Sequence, residues 1–113
     1  MKIALTILAV LIGLLSIAAG GVKVALIPEE AEFLATFGFS DLTTRLFGVV
    51  QILGGLLVML PTTRMVGSLV TAAGFAASAA LIFAGGDLAF GSISLVPVAL
   101  ALLVAYKSRA TVS

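Results

Sequence analysis

Four long apolar runs fill most of the chain, and nearly all the charged residues lie in the connections between them. A helix needs about 20 apolar residues to cross the hydrocarbon core of a bilayer, with a range of about 17–25. Backbone amides in hydrocarbon must be satisfied within their own segment, so runs of this length are expected to be helices. The predicted spans cover residues 3–26, 43–60, 65–84 and 88–106.

The connections between the runs predict how the helices are ordered. Pro61–Arg64 and Gly85–Asp87 are so short that the helices they join should be antiparallel neighbours. We therefore predict an all-α, integral membrane four-helix bundle with up-down-up-down topology. It forms a single transmembrane domain over residues 1–113.

The first run also has the positive start and apolar core of a signal peptide, with Ser16–Ala18 as a small-residue cleavage site. Hydrophobicity continues to Gly21 and resumes after it, which is longer than the usual 7–15-residue signal core. We therefore expect a retained membrane helix and keep a cleaved signal peptide as the alternative.

The connection between the first two spans has features of a short helix. Pro28 suits the first helical position, and acidic residues follow it in the first turn. Phe33 and Phe37 share one face, and Gly38 is suited to end the helix. This pattern predicts a short interfacial amphipathic helix over Pro28–Phe37, whose two rings are either a gate for a ligand or a lid that only packs.

Composition excludes several classes of function. Hydrophobic residues make up 62% of the chain and charged residues 10%, against about 45–50% and 25% in soluble domains. A net charge of +1 is too small to produce the strong positive field that would attract nucleic acid. The chain has no cysteine and no histidine, so we expect no thiolate or imidazole metal site and assign no catalytic residue.

The distribution of charge predicts the orientation. With four spans, both termini and the second connection share a side, which carries four cations and no acid: Lys2, Arg64, Lys107 and Arg109. The other side carries Lys23 and Arg45 together with all five acidic residues. Because Lys and Arg concentrate in cytoplasmic loops, both termini are expected to be cytoplasmic in the inner membrane of a cell.

Small residues recur at steps of three and four along the spans and predict the faces on which helices pack. Such residues let helix backbones approach closely in lipid. The glycines expected to serve this role are Gly13, Gly20, Gly48, Gly55, Gly67 and Gly74.

Four polar residues are candidates for a ligand pocket: Lys23, Arg45, Gln51 and Asp87. Lys23 ends the first span, Arg45 begins the second, and Gln51 lies about 9 Å deeper. A polar side chain inside a membrane is a functional-site hypothesis by default. The alternatives are snorkelling for Lys23 and Arg45, a helix cap for Asp87, and an interhelical hydrogen bond for Gln51.

Several segments resemble the DoxX-like family of small four-helix membrane proteins. Gly20–Val24 is similar to the end of that family's first helix, and Thr44–Gly55 is similar to its Gly-x-x-Glu-x-x-Gly-Gly second helix. Leu60–Arg64 looks like its proline-arginine turn, and Gly86–Asp87 matches the start of its fourth helix. The resemblance covers nearly the whole chain in the right order.

The resemblance implies a non-catalytic accessory or chaperone-type subunit that recognises a partner membrane protein, a lipid or a second copy of itself. The alternative is an accessory subunit of a quinone-linked oxidoreductase that holds a quinone headgroup. Gln51 stands where the family often has glutamate, and Ile82 stands near its histidine position. Proton-coupled catalysis by this chain is therefore not expected, and quinone or lipid are the ligands considered.

Overall fold

The computed structural model describes the backbone of residues 2–112 and the side chains of residues 3–108. The side chains of Lys2 and Arg109, two of the cations in the charge count, lie outside this part. The described chain is all-α. Its helices are α1 (Lys2–Val24), α2 (Pro28–Ala35), α3 (Asp41–Met59), α4 (Arg64–Ala84) and α5 (Leu88–Val112).

Four of these helices are long and apolar enough to cross a membrane, which confirms the prediction of a multi-pass membrane protein. Much of their surface consists of exposed large hydrophobic side chains, such as Leu11, Leu53 and Leu102. The interior instead contains small and polar residues, because lipid, unlike water, does not drive apolar side chains inward. The up-down-up-down order across a bilayer stays a prediction.

Helices α1 and α3 approach each other closely along a seam of glycines. A Cβ atom added to Gly55 would lie 2.5 Å from the carbonyl oxygen of Gly13, and one added to Gly48 would lie 2.5 Å from that of Gly20. At these two points the backbones touch, and no side chain could fit between them. Ser16 strengthens the seam because its Oγ donates a hydrogen bond of 2.6 Å to the carbonyl oxygen of Gln51.

The turn between α3 and α4 satisfies the carbonyl groups at the end of α3. Arg64 donates from Nε to the Val58 oxygen at 3.0 Å and from Nη2 to the Met59 oxygen at 3.1 Å. Thr63 Oγ1 donates to the Leu57 oxygen at 2.8 Å. A buried cation at a helix C-terminus also complements the negative end of the helix dipole. Arg64 is therefore a structural cap.

Local backbone turns and caps set the end of α1, the end of α2 and the start of α3. Leu26 adopts a φ of 53° after α1, a left-handed conformation that is uncommon for leucine. Gly38, with a φ of 88°, provides the left-handed residue that the sequence predicts after α2. Ser40 then caps α3 by accepting the Thr43 N–H at 3.1 Å.

Candidate functional site

A cavity of about 510 Å³ lies at the end of the bundle where α1 and α4 end and α5 begins, with α2 as one wall. This volume falls within the roughly 300–1,000 Å³ of small-molecule sites. Most of its lining is apolar and includes the rings of Phe33, Phe75 and Phe90. The serines Ser78 and Ser94 and four charged residues provide the polar groups.

Lys23 is the only cation in the described lining of this cavity, and it is 3% exposed. Its Nζ lies 2.9 Å from Glu30 Oε1 on α2 and donates to the Ala19 oxygen at 3.3 Å. The same ammonium stands 4.9 Å from the centre of the Phe47 ring. A carboxylate, a carbonyl and an aromatic face thus compensate the desolvated charge.

Three carboxylates line the cavity with Lys23, namely Glu29, Glu30 and Asp87. Asp87 is also the cap of α5, because its Oδ1 accepts the Phe90 N–H at 2.9 Å. Since Asn is as good a cap as Asp, the negative charge is not required for this bond. Glu29 belongs to the first turn of α2 and is exposed.

Two of the four predicted pocket residues line this cavity. Lys23 and Asp87 line the cavity, whereas Arg45 and Gln51 do not belong to its described lining. Arg45 is exposed at the start of α3, and Gln51 is buried at the contact between α3 and α4. Lys23, Arg45 and Gln51 therefore do not line this cavity together, because the Gln51 side chain faces Gly74 instead.

Gln51 is 1% exposed, and neither amide atom has a hydrogen-bond partner among the described residues. The Ser16 hydroxyl donates to the backbone oxygen of Gln51 and not to its side chain. Thr71 Oγ1 on α4 is likewise buried and unpaired within the described chain. A buried polar group without a partner costs about 1–3 kcal/mol.

Replacing Gln51 with methionine, a side chain of similar length and without amide groups, is expected to raise the free energy of unfolding. The gain should be about 1–3 kcal/mol, because the amide loses hydration without a replacement bond. Unfolding by sodium dodecyl sulfate in mixed micelles measures the change. The matched control is Gln51→Glu, which places a charge in the same site and should destabilise. A loss of stability in Gln51→Met would contradict the assignment of the amide as unpaired.

The two predicted gate residues contact each other. The Phe33 and Phe37 ring centroids lie 5.3 Å apart in an edge-to-face arrangement, and Phe33 lines the cavity. Sequence reasoning did not select Phe75, Phe90, Ser78 or Ser94 for the pocket. Glu30 was one of several acidic residues expected near Lys23 and Arg45, and the 2.9 Å distance from its Oε1 to Lys23 Nζ identifies it as the ion-pair partner.

Among the described residues, no group of three or more metal-ligating side chains comes together. The chain matches no known family model, no curated protein and no solved structure. The chemistry of the cavity is therefore the basis on which a function can be assigned.

Proposed function

We propose that this protein is a non-catalytic membrane subunit that holds one lipid-like molecule in the cavity beneath α2. The supporting observation is a space of about 510 Å³ with mostly apolar walls and a few charged groups. An apolar pocket with a small number of convergent polar groups is the usual form of a small-molecule site. The ligand would place its tail among the aromatic rings and its head near the charged residues.

The proposed setting is the inner membrane of a cell, with four spans that alternate in direction and both termini in the cytoplasm. The positive-inside charge bias of the sequence supports this orientation. In it α2 lies at the outer surface, where an amphipathic helix is stable at the level of the headgroups. The DoxX-like resemblance supports an accessory role beside a partner membrane protein or a second copy of the chain.

Cysteine labelling in intact cells tests the orientation. Ser40→Cys, before α3, should react with an impermeant thiol reagent, whereas Thr62→Cys, between α3 and α4, should be protected. Both positions are exposed, and the chain contains no other cysteine. Reaction of Thr62→Cys with protection of Ser40→Cys would reverse the orientation and place the cavity on the cytoplasmic side.

Two serines of α5 provide a matched test of ligand binding. Ser94 lines the cavity, whereas Ser92 is exposed, and each hydroxyl donates to the carbonyl oxygen four residues earlier at 2.8 Å. Ser94→Phe should therefore place a ring inside the cavity and displace a bound molecule that co-purifies with the unmodified protein. Ser92→Phe should retain it, because the added ring enters lipid. Native mass spectrometry of the purified proteins measures the bound mass.

The identity of the bound mass separates the proposed role from the quinone alternative. A lipid or amphiphile that is lost only in Ser94→Phe supports the proposal. A quinone that is lost in the same variant would assign the subunit to a quinone-linked oxidoreductase. Equal retention by both variants would show that the molecule binds outside the cavity, which would refute the site.

A further inference from the structure

We infer that the cavity selects a cationic amphiphile, a molecule with an ammonium headgroup on an apolar tail. This inference rests on the proposed function and names the class of ligand. From the sequence, Lys23 and Arg45 could either pair with nearby acidic residues or meet an anionic or carbonyl headgroup; in the structure Lys23 pairs with Glu30. The charges, the ion pair and the rings of the cavity each support selection of an ammonium headgroup.

The charge of the cavity favours a cation. Three carboxylates and one ammonium line it, which leaves a formal charge of −2. Helices α2 and α5 begin beside this space, and α1 and α4 end there, so their positive and negative dipole ends roughly offset one another. Arg45, which would reduce the negative charge, lies outside the described lining.

Lys23 is already committed to groups of the protein. Its ammonium has three N–H donors; Glu30 and the Ala19 carbonyl accept from it, and the Phe47 ring lies against it. An anionic ligand would have to displace Glu30 and then remain beside the carboxylates of Glu29 and Asp87. Like charges in one site repel, so this exchange is unfavourable.

The remaining groups match the needs of an ammonium ion. Glu29 and Asp87 make no ion pair among the described residues, so their charges are available. The rings of Phe33, Phe75 and Phe90 present aromatic surface, which attracts a desolvated cation. Lys23 already shows how an ammonium ion is held in this region, since a carboxylate and an aromatic ring contact its Nζ.

Three probes with the same ten-carbon tail test the selection: decyltrimethylammonium, decanol and decyl sulfate. Their binding to the purified protein is measured by equilibrium dialysis in maltoside micelles, with protein-free micelles as the blank. We expect the cation to bind about two- to thirtyfold more tightly than decanol, as two exposed carboxylates allow. Decyl sulfate should bind most weakly. The preference should decrease as salt is added.

A charge-removing double variant tests which residues cause the preference. In Glu29→Gln/Asp87→Asn the cation should bind no better than decanol does to the same variant, while Asn keeps the cap of α5. The matched control is Glu32→Gln/Asp41→Asn, which removes two exposed acidic charges outside the described lining. This control should keep the preference of the unmodified protein.

The outcomes separate the inference from the proposed function. Saturable binding of decanol that equals or exceeds that of the cation would overturn the inference and leave the proposed function intact. Absence of saturable binding for all three probes would overturn both. Loss of the preference in both double variants would assign it to the general surface charge and also refute the inference.

A second measurement identifies the source of the ammonium group. After incubation with phosphatidylethanolamine or phosphatidylglycerol, native mass spectrometry reports which lipid the protein retains. Phosphatidylethanolamine is zwitterionic and carries the ammonium group that anionic phosphatidylglycerol lacks, so its preferential retention supports a lipid source. Binding of decyltrimethylammonium without that retention supports a free amphiphile. Preferential retention of phosphatidylglycerol would contradict cation selection.

Discussion

Gly20→Ala is expected to lower the free energy of unfolding by about 1–3 kcal/mol or more, although it adds only one methyl group. The new Cβ would clash with the carbonyl oxygen of Gly48 and with Ile52 on α3. These contacts include backbone, which cannot move aside as the end of a flexible side chain can. The two helices would have to separate along the seam that also contains Gly13 and Gly55.

The neighbouring residue provides the control for this prediction. A Cβ added to Gly21 would meet no described atom within 4 Å, so Gly21→Ala should be neutral or slightly stabilising. Alanine has a higher helix propensity than glycine by about 1 kcal/mol, and both variants share this gain. Unfolding of both in mixed micelles gives the comparison. Equal stability of the two variants would show that the seam is not tightly packed.

The long helices could be predicted from the sequence because length and hydropathy alone determine which segments can span a bilayer. The four apolar runs and the left-handed Gly38 were therefore recognised without tertiary information. The positive φ of Leu26 could not be predicted, since a leucine gives no local signal for this conformation. Leu26 takes the left-handed position of the α1 C-cap, where its N–H donates to the Lys23 oxygen at 3.1 Å and the Ile27 N–H donates to the Val22 oxygen at 3.0 Å.

The candidate site was predicted only in part, because depth along a helix does not determine the direction of a side chain. Lys23 and Asp87 were found from their positions at helix ends, and both line the cavity. Arg45 is exposed, Gln51 is buried against Gly74, and neither belongs to the described lining. Phe75 and Phe90 join the site from α4 and α5, and no sequence spacing relates them.

Removing the ion pair between α1 and α2 is the second change expected to have a large effect on stability. Lys23→Met should destabilise the protein by about 1–3 kcal/mol, because it leaves Glu30 without its cation in a partly buried position. The value is below that for a fully buried pair, since the Glu30 side chain is 29% exposed and water still screens it. Methionine keeps the length and apolar contacts of the lysine stem, so the loss reports mainly on charge.

A double-mutant cycle with Glu30→Gln measures the coupling of the two residues. If the pair holds α2 against the bundle, the free energy of unfolding should fall less in Lys23→Met/Glu30→Gln than the sum of the losses in the two single variants. The expected difference is about 0.5–3 kcal/mol. Hydrogen exchange of the α2 amides should also be faster in Lys23→Met than in the unmodified protein. The exposed Glu32 on the same helix is the control, and Glu32→Gln should change stability by less than about 0.5 kcal/mol. Strictly additive losses with unchanged exchange in α2 would mean that α2 is held by its apolar contacts alone, with buried Leu34 as its anchor.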